Sequence, residues 1–74
     1  SMVGLEGTAV SAVDPDGTVR IRGALWRART NRATPILEGD VVRVVEIDGL
    51  LLEVEPEEGG AKDYREMRDR RKHD

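Results

Sequence analysis

The feature that most restricts the fold of this chain is a predicted β-hairpin whose two strands meet at Asp48-Gly49. In the second strand, apolar side chains recur at every second residue, namely Leu50, Leu52 and Val54. A period of two is typical of a strand with one buried face. Asp-Gly favours the type I′ turn, in which both central residues have positive φ. The sequence therefore predicts a tight hairpin over residues 39–56.

The first strand of this hairpin keeps its apolar residues on one face only if it contains a bulge. Val42 and Val44 alternate, but Ile47 is out of phase with them. A β-bulge near Val45-Glu46 adds one residue and would return Ile47 to the inner face.

Three further strands are predicted upstream, at Leu5–Val13, Thr18–Arg22 and Leu25–Thr30. The segment Asp14-Pro15-Asp16-Gly17 predicts a turn, with Gly17 in the left-handed conformation. Gly23-Ala24 fits a two-residue type II′ loop. That loop would place Ile21 opposite Trp26, Val19 opposite Ala28 and Arg20 opposite Arg27. It would also bury Trp26.

Five short strands separated by glycine turns predict an all-β fold, a small five-stranded Greek-key barrel like the OB-fold. An SH3-like barrel is the alternative. The 74 residues include no cysteine, so neither disulfides nor cysteine-bound zinc can support the core. No signal peptide or apolar run long enough to span a bilayer is evident. We expect a scar of tag cleavage or a linker at residues 1–3, a barrel at 4–56, and a charged linker with a flexible or short helical tail at 57–74.

The order of turns and strands resembles the C-terminal soluble domain of NfeD-like membrane proteins. The matching motifs are Gly4-x-x-Gly7-x-Ala9, Asp14-Pro15-x-Gly17-x-Val19-x-Ile21-x-Gly23, Trp26-x-Ala28, and Gly39-x-x-Val42-x-Val44-x-x-Ile47-x-Gly49-x-x-Leu52-x-Val54-x-Pro56. These motifs are structural rather than catalytic, so the resemblance carries over no catalytic residue.

The resemblance implies an OB-fold domain that follows transmembrane helices and lies on the cytoplasmic side of the membrane. It implies a stomatin- or flotillin-like membrane scaffold protein, or a membrane protease, as the partner. It also implies a role in membrane organisation or in the regulation of membrane proteolysis. The alternatives are a nucleic-acid-binding OB domain and an accessory domain of a membrane-bound serine protease.

Chemistry at a catalytic or metal site is not expected. The only histidine, His73, falls in the predicted tail, whereas a catalytic base must be held in a fixed geometry. Asp14 and Asp16 lack the further ligands of a calcium loop. Nucleic acid is not an expected partner either, because the net charge is −3 and Trp26 is the one aromatic residue of the predicted barrel. The sequence thus predicts neither an enzyme nor a cofactor.

The candidate interaction surface is a row of arginines on the outer faces of the second and third strands. Its predicted members are Arg20, Arg22, Leu25, Arg27 and Arg29. Two interpretations are open. The arginines could be solvated and paired with Glu6, Glu46 or Glu53, or they could bind an acidic protein segment or anionic lipid heads.

Overall fold

Five strands form a closed barrel in the computed structural model, which describes residues 1–57 of the chain. The strands are β1 (Glu6–Ala9), β2 (Asp16–Ile21), β3 (Ala24–Arg29), β4 (Val41–Asp48) and β5 (Leu51–Pro56). Their order around the barrel is β1-β2-β3-β5-β4, and β1 pairs with β4 to close it. The β3–β5 pair is parallel and the other four are antiparallel. The predicted all-β Greek-key barrel is therefore confirmed, whereas the linker and tail predicted at 57–74 lie outside the described residues except for Glu57.

Small aliphatic side chains fill the barrel. The buried apolar residues are Ala9, Val13, Val19, Ile21, Ala28, Ile36, Val42, Val44, Leu52 and Val54. Met2, Leu5 and Trp26 are partly buried and pack against this core. The prediction that Trp26 is buried was therefore wrong in degree. Its side chain lies on the inner face opposite Val19, near the hairpin loop at the edge of the core.

The β2–β3 hairpin turns one residue earlier than the sequence predicted. Ile21 pairs with Ala24, so the loop is Arg22-Gly23 instead of Gly23-Ala24. Both loop residues have positive φ, 52° and 81°, as a type I′ turn requires. The register consequently differs by two residues from the predicted one. A shift of two preserves the face of every side chain, so the predicted inner and outer faces are correct although the predicted partners are not.

The β4–β5 hairpin also departs from the predicted turn. Asp48 pairs with Leu51, so the loop is Gly49-Leu50, and Gly49 alone has positive φ. The predicted bulge is confirmed, because the register shifts between Val44 and Glu46. Ile47 does pair with buried Leu52, but it remains 37% exposed near the loop end of the hairpin.

The first strand is shorter than predicted because the chain leaves the sheet after Ala9. Val13 instead forms an isolated bridge with Ile36, which brings the long loop between β3 and β4 onto the core. Gly17 does not take the predicted left-handed conformation. Its α-carbon lies against the backbone of Ala12 and Val13, where a β-carbon would overlap them. This glycine is needed for close approach rather than for positive φ.

The strand directions bring both hairpin loops to one end of the barrel. β3 and β5 run parallel and start at the same end, where β2 and β4 finish. β1 is antiparallel to β2 and β4, so it also starts there. Residues before Glu6, the Arg22-Gly23 loop and the Gly49-Leu50 loop therefore lie at this common end.

Candidate functional site

The five predicted surface residues lie together on the outside of the β2–β3 hairpin, and we call this set the arginine face. Its members are Arg20 on β2, Arg22 in the loop, and Leu25, Arg27 and Arg29 on β3. All five are exposed, and Leu25 retains 59% of its accessible surface. They point outward because the residues alternating with them, such as Val19 and Ala28, occupy the core.

The register separates the arginines from one another. Arg20 lies opposite Leu25, and Arg27 lies opposite Thr18, so the predicted Arg20–Arg27 pair does not form. Like charges directly opposite each other destabilise a sheet, and the observed register avoids that arrangement. Arg20 and Arg27 are diagonal neighbours on either side of Leu25. The surface is therefore an apolar side chain with guanidinium groups around it.

No carboxylate within residues 1–57 forms an ion pair with the arginine face. The ion pair found in that part of the chain joins Arg43 Nη1 to Glu57 Oε1 at 3.2 Å. Glu53, one of the predicted partners, instead accepts a hydrogen bond from Asn31 Nδ2 at 2.6 Å. The interpretation that the arginines are paired with Glu6, Glu46 or Glu53 is thus not supported by the described residues.

Arg29 differs from the other three arginines in its surroundings. It lies between Asp16 on β2 and Glu53 on β5, the residues that pair with it in the sheet. It also borders a shallow depression of about 210 Å³, whose other lining residues are Asn31, Glu46, Asp48, Leu51 and Glu53. No group of three or more acidic or histidine side chains in residues 1–57 is placed to hold a metal ion. Arg29 therefore marks the boundary between the arginine face and an acidic region on β4 and β5.

By contrast, Arg20 and Arg27 have no acidic neighbour directly across the sheet. Arg20 pairs with Thr8 and Leu25, and Arg27 pairs with Thr18 and Leu51. Their positive charge is left for a ligand or for water. This half of the face could accept carboxylates through bidentate hydrogen bonds.

Arg22 occupies a backbone conformation that suits its side chain poorly. It is the one residue other than glycine with positive φ in residues 1–57. For most L-residues the left-handed region is less favourable by roughly 1–2 kcal/mol, and Asn-Gly is preferred in a type I′ loop. An arginine there gives up local stability and places a guanidinium at the tip of the hairpin.

Replacing Arg22 with asparagine is expected to stabilise the domain by about 1 kcal/mol, because asparagine tolerates the left-handed conformation. The melting temperature should rise by roughly 4–8 °C at this size. Arg20→Asn is the matched control. It removes the same side chain from a regular strand, where asparagine is unfavourable, and it should not stabilise the domain. Thermal denaturation of both variants measures this difference. If the melting temperature of Arg22→Asn were no higher than that of Arg20→Asn, backbone strain at Arg22 would be contradicted.

Other candidate groups have structural roles in the part of the chain that the structure describes. The Ser11 hydroxyl donates to the Ala12 carbonyl at 2.9 Å and accepts from the Thr18 amide at 3.1 Å. It thus secures the segment that enters β2. The Asp14 amide donates to the Asp16 carbonyl at 3.2 Å, a contact within the loop that leads into β2. His73 lies outside the described residues.

Comparison with known proteins relates the whole barrel to one family. Residues 1–56 match the model of the NfeD-like C-terminal, partner-binding domain. A Pyrococcus horikoshii protein named membrane-bound protease PH1510 is 48% identical over 63 residues, which cover 82% of this chain. The match covers 14% of that protein's length, so this chain corresponds to a small part of it.

Three solved structures, each from a different organism, are similar to this barrel. The C-terminal domain of stomatin operon partner protein 1510-C from P. horikoshii has a TM-score of 0.73 and 46% identity, covering 76% of this chain and 88% of that one. A soluble domain from Corynebacterium glutamicum, of a membrane protein implicated in regulation of membrane protease activity, has a TM-score of 0.71 and 31% identity, with 76% and 92% covered. The soluble domain of the NfeD protein YuaF from Bacillus subtilis has a TM-score of 0.65 and 33% identity, with 74% and 73% covered. Residues 1–57 of this chain contain no helix able to cross a bilayer.

Proposed function

This chain belongs to the NfeD-like family, as its C-terminal, partner-binding domain, and from that premise we propose that it is a non-enzymatic interaction domain that binds an acidic protein partner through the arginine face. In the full-length protein the domain would be anchored to the membrane and exposed on the cytoplasmic side. The arginine face would then act close to the bilayer, where membrane scaffold proteins assemble.

A stomatin- or flotillin-like scaffold protein is the proposed partner. The P. horikoshii domain with the same barrel is described as a stomatin operon partner protein, and that description supports this class of partner. A second candidate is an accessory role beside a membrane protease, favoured by the name of the P. horikoshii relative. In either role, this domain would contribute binding to membrane organisation or to the regulation of proteolysis, and it would perform no chemistry.

The observation that carries the proposal is a group of exposed arginines that form no ion pair with a carboxylate in residues 1–57. Arg20 and Arg27 surround Leu25, whose side chain is 59% exposed. Arginine and a central apolar side chain are a common combination in protein interfaces, because the guanidinium stacks and also binds carboxylates bidentately. The chain as a whole has a net charge of −3, so this positively charged face is a local exception. An acidic partner would therefore be attracted to this face rather than to the rest of the surface.

A nucleic-acid role is less well supported by the same surface. Single-strand binding by an OB-fold uses exposed aromatic platforms in a basic groove. The sole tryptophan, Trp26, lies on the inner face opposite Val19 and packs against the core instead. The arginine face itself carries Leu25 at its centre and no aromatic side chain. Acidic side chains of a protein therefore match it better than stacked bases do.

Reversing one charge in the face tests the proposal. Arg27→Glu in the full-length protein is expected to weaken binding of a purified stomatin-like scaffold protein by about tenfold or more, because repulsion replaces a charge-assisted contact. Arg32→Glu is the matched control, since Arg32 is an exposed arginine in the loop outside the arginine face. Both variants change the net charge equally, so a general electrostatic effect would appear in both.

The outcomes separate the partners. Equal affinities for Arg27→Glu and Arg32→Glu, with unchanged melting curves, would refute a role for the arginine face. If Arg27→Glu impaired binding to phosphatidylserine vesicles but not to the scaffold protein, the surface would be assigned to lipid heads. Addition of the Arg22→Glu substitution should deepen the loss caused by Arg27→Glu if the two guanidinium groups engage one partner.

A further inference from the structure

We propose that the partner binds as an extended acidic segment that adds a strand to the free edge of β3 beside Leu25. This inference rests on the proposed function of the arginine face, and it specifies how that face would be used. The barrel is closed along the second half of β3, but the first three residues of that strand, Ala24–Trp26, have a neighbour on one side alone.

The hydrogen-bonding phase of β3 follows from a bond just beyond its end. The Thr30 amide donates to the Pro15 carbonyl at 2.8 Å, and this pair continues the β2–β3 register. In an antiparallel ladder, residues bonded to the partner alternate with residues whose N–H and C=O point the other way. The backbone N–H and C=O groups of Ala28, Trp26 and Ala24 therefore point toward β2. Arg27, Arg29 and Leu25 direct their backbone groups to the opposite edge.

Two of those three residues have a partner at that edge, and Leu25 does not. The parallel β5 strand begins beside Arg27, with Leu51 opposite it, and continues past Arg29. Before Leu51 the chain turns away through the Gly49-Leu50 loop. No strand of the described residues lies next to Leu25 on this side. Its N–H and C=O are thus a ready template for another extended segment.

The side chains around this edge define the segment that would fit. A strand beside β3 would present alternate residues to the outer and inner faces. On the outer face it would lie beside Arg27, with Arg20 one strand further away on β2, and neither arginine has a carboxylate across the sheet. On the inner face it would cover the exposed part of Trp26. The fitting sequence therefore alternates acidic and apolar residues.

A second unpaired stretch of strand, at the end of β4, would reject the same segment. β1 accompanies β4 as far as Val44, whose carbonyl accepts from the Gly4 amide at 2.8 Å. Beyond it, β4 has no strand on that side in the described residues, but it carries Glu46 and Asp48. These carboxylates repel an acidic segment, so the difference in charge favours binding at the edge of β3 over the edge of β4.

The test uses the whole chain, labelled with ¹⁵N, and a synthetic peptide in which glutamate and valine alternate. In the free protein the Leu25 amide should exchange with solvent like an exposed amide, while the Trp26 amide is protected by its bond to β2. Added peptide should slow Leu25 exchange and shift Trp26 fluorescence to shorter wavelength. A second peptide with the same side chains, but with N-methyl groups at alternate backbone nitrogens, should bind at least about tenfold more weakly, because the ladder hydrogen bonds are lost.

A variant of the protein provides the reciprocal test. Leu25→Pro removes an N–H that points away from β2, and proline is tolerated on an edge with that orientation. It should abolish peptide binding, whereas Leu25→Ala keeps the N–H and should bind within a few-fold of the unaltered chain. Because Leu25→Pro could also disturb folding, the N-methylated peptide tests the same hydrogen bonds on an unaltered protein.

Failure of strand addition is distinguishable from failure of the proposed function. Equal binding of the plain and N-methylated peptides, or a Leu25 amide already protected in the free chain, would overturn strand addition. The same conclusion would follow if the plain peptide did not bind. The arginine face would still stand as the partner site if Arg27→Glu weakened scaffold binding and Arg32→Glu did not.

Discussion

Replacing Leu52 with alanine is expected to lower the free energy of unfolding by about 2–5 kcal/mol, the usual range for a buried leucine. Leu52 has no exposed surface and lies on β5 between Ala28 of β3 and Ile47 of β4. It therefore joins two strand pairs, including the parallel pair that completes the barrel. A single core of this size rarely supplies more than about 3–5 kcal/mol, so much of the population should unfold.

Leu50→Ala is the matched control for this prediction. It removes the same atoms two residues away, but the Leu50 side chain is 83% exposed in the loop. Its effect should lie within about 0.5 kcal/mol of zero. Urea denaturation followed by Trp26 fluorescence measures both variants. Similar midpoints for Leu50→Ala and Leu52→Ala would mean that Leu52 does not hold the strands together.

The contrast between Leu50 and Leu52 shows where sequence periodicity is informative. Alternation correctly assigned Leu52 and Val54 to the core, because every second residue of a strand shares one face. It failed at Leu50, since the turn begins one residue later than Asp48-Gly49 suggested and takes this residue out of the strand. Asp-Gly favours a type I′ loop locally, but the pairing of Asp48 with Leu51 extends the ladder and outweighs that preference.

The candidate site was predictable to the same extent. The faces of Arg20, Arg27 and Leu25 followed from the period of two, which a register shift of two residues leaves unchanged. Their cross-strand partners did not follow, because Gly23 can occupy either central position of a two-residue loop. The position of Arg22 in a left-handed turn depended on that choice. An Arg-Gly dipeptide between two strands is the signal that could have revealed it.

The free edge at Leu25 could not have been found from the sequence. It depends on where β5 begins beside β3, and a parallel pair between strands that are distant in the chain leaves no local pattern. The predicted strand lengths were also too regular. β1 ends at Ala9 and not at Val13, because the bridge from Val13 to Ile36 brings the loop between β3 and β4 onto the core. Such contacts are decided by three-dimensional packing rather than by local preference.

Replacing Gly7 with alanine is expected to destabilise the domain by about 3 kcal/mol or more, at the upper end of what overpacking causes. Gly7 lies in the middle of β1, which joins β2 to β4 and closes the barrel. A β-carbon there would overlap the Arg20 carbonyl oxygen and the Ile21 Cδ1 atom. A flexible side-chain end can move aside, but the Arg20 carbonyl is backbone, so β2 itself must shift. The arginine face begins on that strand, and partner binding should fall together with stability.

Gly23→Ala separates this steric effect from a general intolerance of glycine replacement. Gly23 has φ of 81°, but a β-carbon there would meet nothing within 4 Å. Its replacement should destabilise by roughly 1–2 kcal/mol, through backbone conformation alone. Gly7 is not among the glycines with positive φ, so its sensitivity would come from close approach. Thermal denaturation should therefore rank Gly7→Ala well below Gly23→Ala. The reverse order would show that β1 can move away from β2, and that closure of the barrel does not depend on contact at Gly7.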